Sequence, residues 1–464
     1  MASVGSTEKE KYRALPLVRP TLVWRNRYLV YIFLASTILF DEKTIRFASN
    51  RDNPLFDAYF GFRGIDLMAM LLMAVFALSG GVKTSVLKRN PLVRPLAFML
   101  VPVFLGILRG VYFQNSQMFA DWKNYVVGYG FFIVLITCFG SVERIERLYK
   151  TLLVLTLLRT VYTMWEYSTG GGNFLPRFNF QAPFVYNTPI LFALILCSSF
   201  GVANFLVKDK AAWAHRHRWK LLILAVFFTL LIFLSFKRSI WLVTIVTMVG
   251  VPALLRSFIV KRALYAVLAS ALLFSSAYAI FNLESFAPQQ AHFGLSLRSM
   301  NPFGAETGTI HDDSNRSHLD NVAVAWKLLN EQGLLLGGGV GLIEDHRLVN
   351  PSIHNGLLYV WYKFGLLGAC VYLFCFGKLF YKYLRSYGQL SPREKAITVG
   401  AFSTVLAWFA VSLVFVPPFF TSITGAILMF LMFGILSNTL VINEDRRRRK
   451  AFSSHQLAMT SNSR

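Results

Sequence analysis

The sequence predicts an all-α integral membrane protein of about twelve transmembrane helices with one large polar loop. Three observations carry that expectation. Hydrophobic residues make up 55% of the 464 and charged residues only 15%, with a mean hydropathy of +0.50, which is far more apolar than a water-soluble domain. Apolar runs recur along the whole chain at lengths near the ~20 residues that cross about 30 Å of hydrocarbon. The basic residues that give the formal net charge of +24 sit between those runs, where they set membrane orientation and do not build a nucleic-acid-binding face.

Taken in order, residues 1–27 form a polar, basic tail, and the first apolar run opens only at Tyr28, so no cleavable leader is expected. Nine spans follow within 28–282, near 22–40, 64–81, 95–108, 125–140, 148–167, 188–207, 221–236, 239–256 and 263–282. Residues 283–353 are the polar loop. Three more spans, near 357–377, 396–416 and 423–442, occupy 354–442, and 443–464 is a second basic tail. Lys and Arg stay on the cytoplasmic side of short loops. Most of the 47 fall in 1–27, 82–94, 141–150, 208–220, 256–262, 378–395 and 443–464, which puts both termini in the cytoplasm. Within 283–353 only Arg298, Arg316, Lys327 and Arg347 are basic, and acids outnumber them, so this loop faces outward.

The tail cluster Arg446-Arg447-Arg448-Arg449-Lys450 reads as an anchor to anionic lipid. Cys138, Cys197, Cys370 and Cys375 all lie in apolar runs without metal-like spacing and read as small packing residues. There is no internal repeat and no matched pair of broken helices, which weighs against a transporter. Gly170-Gly171-Gly172 opens a second outward loop that ends at Tyr186-Asn187-Thr188-Pro189. Gly337-Gly338-Gly339 lacks the spacing and terminal Lys-Ser/Thr of a phosphate loop and is expected to be a turn after a helix over Asn321–Asn330, with Val322, Trp326 and Leu329 on its apolar side.

Outward-facing cations run against the orienting bias, so Arg177, Lys237, Arg238 and Arg316 each ask for a reason. One reading is headgroup contact by a snorkelling side chain, which suits Lys237 and Arg298. The other is an anionic ligand, since the planar arginine fork donates two parallel hydrogen bonds to phosphate oxygens; the turn at Arg238 is too short to leave the protein. Arg159 and Glu166 share a face of the fifth span, and a charge at that depth needs protein or a wet cavity. Structural pairing and substrate contact both remain open for them. His354 ends the polar loop just before the helix that starts near Asn355. It is either an interfacial or capping histidine, or a partly desolvated imidazole that accepts a proton from a hydroxyl. No His/Cys/Asp/Glu cluster has metal-ligand spacing, and Asp312-Asp313 beside His311 is isolated.

Several of these stretches together resemble a family. Asn315-Arg316-Ser317, Trp326-Lys327-Leu328-Leu329, Gly337-Gly338-Gly339-Val340-Gly341, His354-Asn355-Gly356-Leu357-Leu358 and Phe364-Gly365-Leu366-Leu367-Gly368 resemble, in that order, the C-terminal signature of bacterial O-antigen ligases and the related Wzy-type polysaccharide polymerases. Ser235-Phe236-Lys237-Arg238-Ser239 is similar to the family's Ser-x-Ser-Arg turn, with Lys237 in place of the usual small residue. Arg177 followed by Asn187 is similar to its Arg-then-Asn-Pro-Asn loop, although Tyr186-Asn187-Thr188 lacks the Asn-Pro.

The resemblance implies a glycosyltransferase of GT-C-like fold in the bacterial inner membrane, with its active site facing the periplasm. It would take a glycan from undecaprenyl diphosphate. A ligase would give it to lipid A-core, and a polymerase to another lipid-linked repeat. No metal or other cofactor is implied. Arg177, Lys237, Arg238 and Arg316 would hold the departing diphosphate, and Arg159 is a possible supporting cation. His354, with Asn355 beside it, would orient and deprotonate the acceptor hydroxyl, with inversion at the sugar carbon. The competing class is a transporter of a lipid-linked or anionic solute, in which the outward cations and Arg159 form a binding site. A large outward loop favours the enzyme, because a transporter has no need of it.

Overall fold

The computed structural model describes residues 20–39, 64–79, 82, 84–114, 118–169, 173–175, 180–182, 188–207, 216–233, 238–255, 326–327, 329–330, 333–339, 356–412 and 423–462. The described chain is overwhelmingly helical: α1 Pro20–Leu39, α2 Gly64–Leu78, α3 Thr84–Arg89, α4 Val93–Phe98, α5 Leu100–Tyr112, α6 Met118–Cys138, α7 Val142–Ser168, α8 Thr188–Leu206, α9 Arg218–Phe233, α10 Arg238–Leu255, α11 Gly356–Tyr387, α12 Pro392–Ser412 and α13 Ile423–Asn462. The loop after α7 adds something the sequence does not announce, a two-stranded antiparallel ladder of β1 Asn173–Leu175 and β2 Phe180–Ala182 with Phe174 opposite Gln181.

Among the described residues four helices are long and apolar enough to cross a membrane, Val93–Tyr112, Gly356–Tyr387, Pro392–Ser412 and Gly425–Ser454. The apolar helices Arg27–Leu39, Leu67–Leu78, Trp122–Cys138, Ile190–Leu206 and Ile240–Leu255 are shorter. The expected span 263–282 and most of the loop 283–353 lie outside the described residues. The span expected at 95–108 is a pair, α4 and α5, joined at Met99. Pro102 causes the irregularity, since it has no N–H to give Phe98 and its ring crowds the preceding turn.

Side-chain exposure shows why this bundle belongs in a membrane. Leu67, Leu71, Phe104, Val161, Ile223 and Val249 are all more than half exposed, a set of outward apolar faces that water would not tolerate. Exposed amphipathic aromatics sit near helix ends, Tyr112 on α5, Trp165 on α7 and Trp219 on α9, and Tyr28 sits where the apolar part of α1 begins; rings of that type settle at headgroup level.

Inside the bundle α13 is the hub, 89% buried over its apolar window against 39% for α4–α5. Close approach comes from small residues. A Cβ on Gly201 of α8 would meet the Leu221 carbonyl of α9 at 2.6 Å, and one on Gly400 of α12 would meet Ser199 Oγ of α8 at 2.7 Å. Stacked rings fill the wider gaps, Tyr149 on Phe200, Phe192 on Trp408 and Tyr383 on Phe402, with centroids 4.1, 4.0 and 4.1 Å apart. Buried hydroxyls of Thr37, Thr244, Thr404 and Thr439 donate back to carbonyls one turn earlier, which pairs these four donors within their own helices. Of the cysteines, Cys138, Cys197 and Cys375 are buried as expected of packing residues, while Cys370 is exposed on α11.

Ion pairs gather at one end of the bundle. Arg393 of α12 grips Glu146 of α7 with two bonds of 2.7 and 2.8 Å and reaches Glu143 at 3.0 Å. Arg446 of α13 bonds Glu394 at 2.8 Å, and Arg89 of α3 faces Asp445 at 3.9 Å. These residues come from four of the basic segments, 82–94, 141–150, 378–395 and 443–464, so the structure brings those segments together.

Candidate functional site

At the opposite end, the described part of the polar loop is locked onto α11 by main-chain hydrogen bonds. α11 breaks at Gly365, whose φ of 70° and ψ of −178° leave the helical region. The break frees the carbonyl of Tyr362 and the amides of Leu366 and Leu367. The loop satisfies them: Gly338 N–H donates to Tyr362 O at 2.8 Å, and Leu366 N–H donates to Leu334 O at 3.0 Å. Leu367 N–H reaches Leu335 O at 3.5 Å as well, so these three groups released by the break find partners in the loop.

The glycines are there because this dock leaves no room. A Cβ on Gly365 would lie 2.0 Å from Leu335 O, one on Gly337 would lie 2.6 Å from Tyr362 O, and one on Gly339 would lie 2.7 Å from Gly110 N. All three also have positive φ, which costs a residue with a side chain dearly. Upstream, Gly333 N–H closes on Leu329 O at 3.0 Å with φ 102°, a left-handed cap on the turn that holds the fully buried Leu329. Trp361 Nε1 donates to Leu334 O at 2.9 Å, and Trp326 packs edge-on against it with centroids 5.4 Å apart. The turn expected at 337–339 falls instead at 334–336, closed by Gly337 N–H on Gly333 O at 3.0 Å, and the glycines that follow it form the docking surface. Arg109 of α5 completes the dock by donating from Nε to Gly337 O, while its guanidinium lies 5.1 Å from the centre of the Phe113 ring.

This arrangement fixes the start of α11. Leu366–Tyr387 alone is long enough, at 1.5 Å per residue, to cross about 30 Å of hydrocarbon, so Gly356–Phe364 is a separate helical piece beyond the kink. His354 and Asn355 immediately precede that piece. They lie outside the described residues, as do Arg177, Lys237 and Arg316, and so do the side chains of Arg238 and Glu166.

The backbone places the Arg238 position. Val251 of α10, Ala203 of α8 and Val399 of α12 pack in one cluster, and Phe192 of α8 stacks on Trp408 of α12. Those two levels set α12 antiparallel to α8; Gly201 and Phe205 near the end of α8 meet Leu221 and Trp219 at the start of α9, and Trp241 at the start of α10 donates to Ile232 O at the end of α9, so α8 and α10 run parallel. Counting back from the shared level, Thr188 and Arg238 begin their helices at nearly the same height and on the same end.

Arg159 is the one predicted site residue whose side chain is described. It is 1% exposed, donates from Nη1 to Leu39 O at 3.2 Å and lies 5.4 Å from the Tyr162 ring centre. Leu39 is the last residue of α1, so the guanidinium meets the carbonyl end of a helix, where a cation is favoured. That contact assigns Arg159 a structural partner on another span. The sequence reading passed over three further cations, Arg109, buried Lys123 and buried Lys363, whose ammonium lies 5.6 Å from the Tyr359 ring centre. Their signal was available: each is a lone cation at the edge of an apolar run. Among the described residues no three His, Cys, Asp or Glu side chains gather into a metal-sized group.

Neither the known protein-family models nor the curated proteins contain a match to this chain. The functional reading therefore rests on the chain's own sequence and on where the described helices begin and end.

Proposed function

We propose that the chain is a membrane glycosyltransferase of the O-antigen-ligase type. In this reading it has twelve spans, a GT-C-like fold, cytoplasmic termini and a periplasmic site, and it moves a glycan from undecaprenyl diphosphate to a hydroxyl of lipid A-core. His354 accepts the proton of that hydroxyl. Arg177, Lys237, Arg238 and Arg316 hold the diphosphate as it leaves, supplying the charge stabilisation that preorganised donors give to a transition state. The observation that supports this best is the dock of 333–339 on α11 and Arg109. It pins the outward loop by main-chain bonds beside the helix that His354 precedes, as a site for a loop-borne base and an incoming acceptor requires. The level start of α8 and α10, at Thr188 and Arg238, adds a second pair of ends on one face.

The test is transfer by purified protein from an undecaprenyl-diphosphate glycan to lipid A-core. Arg238→Lys and Arg316→Lys keep the charge and lose the fork, so each should lower turnover about tenfold or more with unchanged protein yield. Full activity in Arg238→Ala would return that residue to headgroup contact. Transfer to a second lipid-linked repeat, and none to lipid A-core, would make the chain a polymerase instead.

A further inference from the structure

A groove of about 580 Å³ lies at the ion-paired end of the bundle, between the α6–α7 turn at Gly140 and the extension of α13. Arg446, Arg449, Lys450, Ser453 and Ser454 line its α13 wall. Their spacing is i, i+3, i+4, i+7 and i+8, one stripe of a helix. The other two cations of the run are turned away and engaged elsewhere, Arg447 with the side chain of Gln389 and Arg448 with Glu444 at 2.6 Å. Asp445, the acid on the wall, faces Arg89, and Arg446 is shared with Glu394. Arg449 and Lys450 are exposed, and among the described residues no acid pairs with either of them. The depth is that of lipid headgroups, because the buried apolar part of α13 ends at Leu440 and α6 ends at Cys138.

We infer that this groove is a binding site for the phosphate of an anionic phospholipid headgroup, read by Arg449 and Lys450, with Gly140 leaving the space the headgroup occupies. A Cβ at Gly140 would meet nothing within 4 Å, so a larger side chain there fills the groove without a clash. The site differs from a diffuse basic tail in that two of the five cations bind and two others do not.

Native mass spectrometry of the detergent-purified full chain, titrated with phosphatidylglycerol, tests this. Arg449→Gln with Lys450→Gln should weaken the first bound lipid about tenfold or more. Arg447→Gln with Arg448→Gln removes the same charge and should leave it within about twofold, a change expected of screened long-range charge alone. Gly140→Leu should weaken it as well, with every charge kept. Equal weakening in the two double variants would overturn the site in favour of general attraction, as would full binding in Gly140→Leu. Binding of inorganic phosphate as tight as that of the lipid would overturn the headgroup assignment and make the ligand soluble.

Discussion

The amide of Leu366 donates to the carbonyl of Leu334 across 3.0 Å, in place of the bond to Tyr362 that the helix gave up when it broke at Gly365. That exchange joins the polar loop to the membrane bundle, and it is the most exposed to a single substitution. Gly365→Ala puts a Cβ against Leu335 O and forces a positive φ on a residue with a side chain. It should cost about 3 kcal/mol or more, read as a large fall in Tm of the purified protein. Gly377→Ala, in the same helix with nothing within 4 Å of its Cβ, should leave stability unchanged or raise it by up to about 1 kcal/mol, with Tm equal to or above that of wild type. Similar losses in both variants would show that the dock contributes nothing.

Arg159→Met removes the cation at the α1 carboxyl end. Loss of a buried hydrogen bond from a charged donor costs about 1.5–3 kcal/mol, so thermal stability should drop by that amount while turnover per folded molecule and the donor KM stay at wild-type values. A raised KM with unchanged stability would move Arg159 from the scaffold to the substrate.

The helical class, the places of the main spans and their basic ends were legible in the sequence, because an apolar run needs no partner to be recognised. What joined them was not. Gly337 and Gly365 each look like local punctuation, and only the folded chain shows that they meet; Arg393 and Glu146 lie in segments that no periodicity links. Arg109 read as one more residue at a span edge until its bond to Gly337 was seen. For Arg159, the sequence could state the cost of the charge but not name the α1 carbonyl that offsets it. The chemistry-bearing positions His354, Arg177, Lys237 and Arg316 rest on the sequence alone.

Acid should loosen the ion-paired end. Bonding to its own backbone at the start of α7, then to Ser141 and Arg393, holds the Glu143 carboxyl below the ordinary range. A depressed folded-state pKa gives stability that is present above the ordinary carboxylate value of about 4.3 and lost as pH falls through the folded one. Tm should therefore decline below about pH 4.3, and Glu143→Gln should start slightly lower at neutral pH and decline less, so that the two profiles converge in acid. An identical pH profile in the variant would remove Glu143 from the acid response.

The central claim is that His354 is the general base of a transfer reaction at the membrane surface. The decisive measurement is single-turnover transfer by purified protein from an undecaprenyl-diphosphate glycan to lipid A-core, with EDTA present, in wild type and in His354→Ala. A positioned base supplies about 10²–10⁴-fold in rate. The account predicts wild-type transfer in EDTA, a loss of that size in His354→Ala, and donor binding retained in the variant. Turnover of His354→Ala within a few-fold of wild type, or no transfer by wild type with either acceptor, would contradict it.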